Sequence, residues 1–179
     1  MILQKKSFDD YYTPAEDSFF LADHIKNEKG HTALDVGTGS GLLANVLSDN
    51  FELVVSTDIN LEALKKAHET VQNCICCNSA DALRYGFDLV VCNLPYLPSE
   101  KISDTAVDGL EEGLGVTTGI IKSASSAIKK NGKLVYLTSS LANYQELVKR
   151  TESLGFVVKI AAKKKLFFED LILVECVKL

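Results

Sequence analysis

Three groups of residues in this 179-residue sequence have types and spacings suited to chemistry. The first is Asn93-Leu94-Pro95-Tyr96, which closes the apolar run beginning at Phe87. A side-chain amide oxygen beside a backbone carbonyl offers two acceptors for the two N–H bonds of one planar NH₂ group. An NH₂ group on an amide or a base is a poor nucleophile because its lone pair is delocalised. Holding both of its hydrogens opposes that delocalisation and aims the nitrogen. Pro95 biases Leu94 toward extended backbone, which aims its carbonyl, and Tyr96 offers a flat face for stacking. With an electrophile held in line, positioning supplies most of the rate. The plainer reading is that Pro95 and Pro98 break a strand into a loop that Asn93 caps.

The second group is Asp35-Val36-Gly37-Thr38-Gly39-Ser40-Gly41, at the junction of an apolar run and a helical pattern. Its glycines let the backbone approach a ligand and pack against the next helix. Asp35, Gly37, Thr38 and Gly39 are therefore candidate ligand contacts. The spacing is Gly-x-Gly-x-Gly, whereas dinucleotide sites carry Gly-x-Gly-x-x-Gly. Asp58 ends the next strand, where a carboxylate can accept both hydroxyls of a ribose. Asp81 follows the third strand, where it can accept from an adenine amino group. A ligand-free tight turn and a NAD site are the other readings. A pyrophosphate prefers a helix start without nearby negative charge, and Asp35 immediately precedes the glycines. A carboxylate there suits a ligand carrying an ammonium and a sulfonium, which is S-adenosylmethionine, with S-adenosylhomocysteine as its product.

A scaffold that brings these groups to one edge is readable in the hydropathy pattern. Short apolar runs alternate with amphipathic stretches, the α/β signature. Strands are predicted at 33–37, 53–58, 74–77, 87–93 and 133–138, with helices at 42–47, 61–71 and 118–129. These units in series imply a parallel sheet with right-handed crossovers. A first helix opens at Thr13-Pro14-Ala15-Glu16, with Thr13 as cap, Pro14 at the first helical position and Glu16 completing a capping box. A helix at 144–154 then leads to strands at 156–162 and 171–177. Lys163-Lys164-Lys165 reads as the turn between them, so the sheet ends in an antiparallel hairpin.

Composition bounds the function classes. A hydrophobic fraction of 46%, with 8 Phe and 6 Tyr, builds a core without disulfide staples. The expectation is one domain over residues 1–179, cytoplasmic, with no secretory leader and no apolar run of the ~18 residues that a membrane span needs. A net charge of −5 does not support sequence-independent binding to nucleic acid. Five cysteines, an odd number with two adjacent, read as reduced thiols. Cys74, Cys76 and Cys77 are too closely spaced to surround one tetrahedral zinc, so no metal site is expected. His24, His31 and His68 have no mutual spacing that suggests catalysis. Cys92 reads as a small apolar core residue.

The glycine segment, its spaced acids and the terminal hairpin together resemble class I methyltransferases. That resemblance implies a Rossmann-like fold, with a mainly parallel seven-stranded sheet in the order 3-2-1-4-5-7-6 and strand seven antiparallel. The third group, Tyr12-Thr13-Pro14-Ala15-Glu16-Asp17-Ser18, narrows it. It resembles the Tyr-x-Pro-Ala-Glu-Asp-Thr segment of the HemK-related glutamine methyltransferases, and most of all their eukaryotic and archaeal branch. Asp108 to Gly119 is similar to that family's Gly-rich stretch after the substrate motif, a candidate mobile wall of the substrate pocket. The resemblance implies cofactor contacts from Ser18, Asp35, Gly37, Asp58, Asp81 and the backbone of Ala82, and Asn93 is a candidate cofactor contact as well. It implies substrate contacts from Asn93, Leu94, Pro95 and Tyr96. It further implies methylation of the glutamine amide in the Gly-Gly-Gln loop of a class-1 translation release factor.

The family's usual motif is Asn-Pro-Pro-Tyr, and Leu94 here replaces its first proline while keeping the accepting carbonyl. Asn-Leu-Pro-Tyr also occurs in ribosomal RNA adenine dimethylases, which carry a further helical domain and a basic surface. An adenine-N6 methyltransferase and a non-catalytic S-adenosylmethionine-binding module stand as the alternatives. Val71–Asn78 is an uncharged, β-prone segment at the expected sheet edge. Such edges are blunted or covered in natural proteins. The resemblance implies a small zinc-binding activator docked there by β-augmentation.

Overall fold

The computed structural model describes residues 14–84, 86–95 and 106–179. Tyr12, Thr13 and Tyr96 lie outside the described residues. The element order is α1 (Glu16–Ile25), β1 (Gly30–Val36), α2 (Leu42–Leu47), β2 (Phe51–Asp58), α3 (Leu61–Ala67), β3 (Asn73–Cys76), β4 (Phe87–Asn93), α4 (Ala106–Ala127), β5 (Ile128–Ser139), α5 (Tyr144–Ser153), β6 (Phe156–Lys165) and β7 (Asp170–Lys178). The strands form one seven-stranded sheet ordered β3-β2-β1-β4-β5-β7-β6. β1 pairs parallel with β2 and β4, as β4 does with β5. β7 runs antiparallel to both β5 and β6. This is the order and the antiparallel strand that the resemblance implied.

Because strand side chains alternate between faces, the sheet has two apolar surfaces. Leu34, Val90, Cys92, Leu134 and Tyr136 share one core with Ile121 and Ala124 of α4 and Leu147 of α5. Ala33, Val91, Val135 and Leu137 share the other with Leu21 and Ile25 of α1 and Leu43 and Leu47 of α2. Tyr136 is wholly buried, and its hydroxyl lies 3.3 Å from Thr151 Oγ1, so its polar end is satisfied. Cys92 sits in β4 as a buried free thiol, and all five cysteines are unpaired. Burial raises the Cys176 thiol to about 12. Among the described residues no helix is long and apolar enough to cross a membrane.

Three expectations are corrected. Lys163–Lys165 do not form a turn but end β6, in register with Ile172, Leu171 and Asp170 of β7. Charge suited them to a turn, but an edge strand tolerates lysines well, because they discourage pairing with other chains. The Gly-rich stretch is helical, since α4 begins at Ala106, well before the expected Thr118. Burial of Ile121, Ala124 and Ala127 against the sheet outweighs the weak helix propensity of glycine. Finally, α1 is capped at Ala15, whose side chain accepts no hydrogen bond, and its first helical residue is Glu16, later than the expected Pro14.

Candidate active site

The carboxyl ends of β1, β2 and β4 open onto a cleft of about 540 Å³, where a parallel sheet generally binds its ligands. Gly37 and Asp58 line one side. Asn93, Leu94 and Pro95 line the floor, and Asp81 stands with Asn78 and Ser79 beyond β3. The remaining wall is one face of α4, formed by Gly115, Val116, Gly119, Ile120 and Ser123. These positions repeat at helical spacing. Gly119, Ile120 and Ser123 fall in the helix predicted at 118–129, and Gly115, Val116 and Gly119 in the Gly-rich stretch read as a wall of the pocket, which is a wall but a helical one. Ile59 and Ser123 also line the cleft, with no signal in the sequence to mark them.

The glycine turn owes its shape to backbone conformation. Gly37 and Gly41 have φ of 73° and 84°, which residues with a Cβ adopt at a cost. A Cβ at Gly41 would come within 3.2 Å of the Ala67 Cβ, so glycine also lets α3 approach. At Gly37 a Cβ would meet nothing, because that position faces open space. The turn is held from beneath and across the sheet. Thr38 Oγ1 donates to Asp35 Oδ2 at 2.7 Å, and the Ala44 amide donates to the same oxygen at 3.2 Å. The Gly39 amide donates to Asp58 Oδ2 at 2.9 Å and the Asn60 amide to Asp58 Oδ1 at 2.8 Å. An ionised carboxylate has about four lone-pair sites, so Asp58 keeps roughly one acceptor position on each oxygen for a diol.

Asp35 is fully buried. Burial pushes its carboxyl up to about 6, against the opposing hydrogen bonds from Thr38 and Ala44. Its Oδ1 has no partner. A buried polar atom without a partner costs stability unless something else satisfies it. Across the cleft, Ser123 Oγ donates to Asp81 Oδ1 at 2.5 Å, and Asn78 Nδ2 donates to Asp81 Oδ2 at 3.4 Å.

Asn93 completes the arrangement. Its Nδ2 donates to Asp17 Oδ2 at 3.3 Å and to Ser18 Oγ at 3.4 Å. Asp17 can only accept, so this contact fixes which end of the amide points away from α1. The opposite atom, Asn93 Oδ1, is buried and unpartnered beside the cleft. The Leu94 amide donates to the Leu137 carbonyl at 3.2 Å, anchoring the motif to β5. Asn93 and Leu94, the residues from which the motif would draw two acceptors for one NH₂ group, both line the cleft, with Asn93 Oδ1 unpartnered. Asp17 belongs to the quoted N-terminal motif but had been given no role.

Of the predicted contacts, Gly37, Asp58, Asp81, Asn93, Leu94 and Pro95 line the cleft. Asp35, Thr38 and Gly39 lie in or under the turn and shape it. Ser18 borders Asn93, Ala82 follows Asp81 on the exposed rim, and neither lines the cleft wall. Gly113 and Gly119 of α4 both have free space where a Cβ would stand, but only Gly119 faces the cleft. Gly113→Ala should therefore stabilise the chain by about 0.5–1 kcal/mol through helix propensity and leave ligand binding unchanged. Gly119→Leu should abolish ligand binding without unfolding the chain. Thermal melts with and without S-adenosylhomocysteine check both.

The methyltransferase small domain family matches residues 15–168. A protein N5-glutamine methyltransferase of Methanocaldococcus jannaschii is 30% identical, with 99% of this chain aligned to 96% of that one. The mouse methyltransferase HEMK2 is 27% identical, over 83% of this chain and 81% of its own length. Among solved structures, the Mtq2–Trm112 complex of E. cuniculi, described as methylating the eRF1 translation termination factor, superposes with a TM-score of 0.77 at 26% identity. That match covers 94% of this chain and 99% of the other. The cleft fits the methyl donor of such enzymes, since it pairs an unpartnered buried carboxylate oxygen under the glycine turn with acids at the ends of β2 and β3. The chain therefore belongs to the methyltransferase small domain family and is an S-adenosylmethionine-dependent methyltransferase of HemK-like kind.

Proposed function

We propose that the chain methylates the side-chain amide nitrogen of the glutamine in the Gly-Gly-Gln loop of a class-1 translation release factor. The observation that carries this reading is the buried, unpartnered Asn93 Oδ1 at the cleft. In this reading one amide hydrogen of the substrate is accepted by Asn93 Oδ1 and the other by the Leu94 carbonyl. Pro95 keeps that carbonyl aimed, and Tyr96 stacks on the amide plane. Asp35, Gly37, Thr38 and Gly39 hold the amino-acid part of S-adenosylmethionine, Asp58 its ribose and Asp81 its adenine, with Ser18 and the backbone of Ala82 at the margins. The bound donor supplies an electrophilic methyl group. The chain's own contribution is to orient the acceptor nitrogen and keep its lone pair localised. Residues 1–179 act as one domain.

The two sheet edges differ in a way that supports a partner. β6 carries Lys159, Lys163, Lys164 and Lys165 along its length, whereas β3 reads Asn-Cys-Ile-Cys with no charge. Lysines blunt an edge, and an uncharged edge invites another strand. A small zinc-binding activator adding a strand at β3, within Val71–Asn78, accounts for the difference. The E. cuniculi relative is a two-protein complex, which supports a heterodimer here.

The test is labelled methyl transfer to a purified class-1 release factor, with and without the activator, beside a factor whose loop glutamine is replaced by Ala. Signal on the intact factor alone, raised by the activator, is the expected result. Silence in both conditions, with cofactor binding demonstrated, would move the acceptor to a nucleobase amine.

A further inference from the structure

The β6–β7 hairpin turns through residues 166–169, closed by a 2.8 Å bond from the Leu166 amide to the Glu169 carbonyl. Leu166 packs against the core, but Phe167 and Phe168 are 91% and 84% exposed. Their rings meet edge to face with centroids 4.6 Å apart. Turns ordinarily take Gly, Asn, Asp or Ser for their backbone freedom and local hydrogen bonds. No residue of this turn has positive φ, and nothing in its geometry calls for two adjacent phenylalanines. Single exposed apolar residues need no explanation, whereas a preassembled aromatic pair on a protruding tip has the form of a binding anchor.

Its place in the fold gives that anchor a use. β6 runs parallel to the cleft-forming strands, so the tip stands at the same sheet edge as Asp58 and Asn93. Asn93 is in register with Leu137, and Leu137 with Leu173. From Leu173 to the turn is about 13 Å along the strand and from β4 to β7 about 10 Å across the sheet, which puts the tip roughly 15–20 Å from Asn93. A standard interface covers about 800 Å² on each partner, a disc of about 16 Å radius. The tip therefore stands at the rim of a standard interface centred on the cleft, within range of a protein whose loop enters it and beyond a small molecule bound there.

Charge indicates what the partner presents. Lys163 and Lys165 are exposed beside the tip. The Lys163 ammonium lies 5.4 Å from the Tyr144 ring centroid, Lys165 stands opposite Asp170, and Lys164 reaches Glu16 at 3.7 Å. The acid nearest the rings, Glu169, accepts a hydrogen bond from Ser139 Oγ and is drawn back to the sheet. In a chain of net charge −5, this is a local basic and aromatic surface.

We propose that the β6–β7 tip docks the body of the protein that carries the acceptor glutamine, through an apolar patch bordered by acidic side chains. The proposal rests on the release-factor reading above and adds where the factor is held while its loop enters the cleft. The experiment compares the wild-type chain, with its activator, against F167A/F168A and K163E/K165E. Substrates are the whole release factor and a short synthetic peptide carrying the Gly-Gly-Gln sequence. Both variants should raise KM for the factor at least tenfold with kcat unchanged, and leave peptide methylation and S-adenosylhomocysteine affinity as in wild type. An unchanged KM for the factor overturns the proposal, as does an equal loss on peptide and factor, which would place the effect in the cleft. Unaltered factor methylation with lost binding of a single-stranded RNA oligomer also overturns it, making the tip a nucleic-acid surface. A wild-type chain that methylates neither substrate overturns the release-factor reading and this docking site together.

Discussion

Asn93→Ala lowers methyl transfer by at least ~10²–10³-fold, the loss typical of removing one preorganised hydrogen-bonding group from a reacting centre. Cofactor affinity stays within about threefold, because the atom proposed to meet the acceptor is Oδ1, on the side of the amide away from α1. The tether of Nδ2 to Asp17 and Ser18 makes the role of Oδ1 directional. Asn93→Gln keeps the same chemistry but moves it by one methylene. A displacement of about 1 Å can cost 10²-fold where positioning dominates, so Gln should rescue little. Single-turnover rates with titration of S-adenosylhomocysteine separate the two effects. Parallel loss of turnover and cofactor affinity in Asn93→Ala would show that its role is structural.

Asp35→Asn weakens S-adenosylhomocysteine binding by about 10²-fold or more, the scale of removing one partner from a buried charge pair. The same substitution reverses a stability trend. The carboxyl is raised by burial from 3.8 to about 6, so between those values the native state holds a proton that the unfolded chain has released. Native stability then falls as pH rises through this window. Fully ionised, the group costs about 3 kcal/mol at 1.36 kcal/mol per unit. Asn stays neutral and removes the slope, recovering only part of that cost because its new N–H donors lack acceptors. Urea unfolding of both chains at pH 4.5 and 7 gives the comparison. An ammonium-bearing ligand selects the ionised form, so wild-type affinity should drop about tenfold per pH unit below about 6. A pH-independent affinity would place the ammonium elsewhere.

The chemistry-bearing residues were more legible than the walls around them. Gly37, Asp58, Asp81 and Asn93 announce themselves because a turn, a diol and an NH₂ group each demand particular residue types at strand ends. The Gly-rich stretch was legible as a wall, but its helical form was obscured because Gly113, Gly115 and Gly119 lower helix propensity locally, and the burial that overrides them depends on the folded sheet. Lys163–Lys165 misled for a related reason. Charge reports exposure, and both an edge strand and a turn are exposed. Asp17 stood in a recognised motif, but its partnership with Asn93 spans 76 positions in sequence and has no local signature.

The position of β7 has a consequence in time. β7 follows β6 in the chain, yet it lies between β5 and β6, pairing with both over most of its length. Until β7 forms, β5 and β6 have no neighbour on the sides where it will lie, and β6 has nothing to join. Leu171, Ile172, Leu173 and Val174, all buried in the finished sheet, are exposed in that interval. The β6–β7 pairing is a local hairpin, but the β5–β7 pairing spans α5 and β6 in the chain. Such non-local pairings form late, and unpaired apolar edges held open during assembly favour self-association. The lysines that guard the outer face of β6 do nothing for the inner one, so the stage most exposed to misassembly comes before the last strand docks.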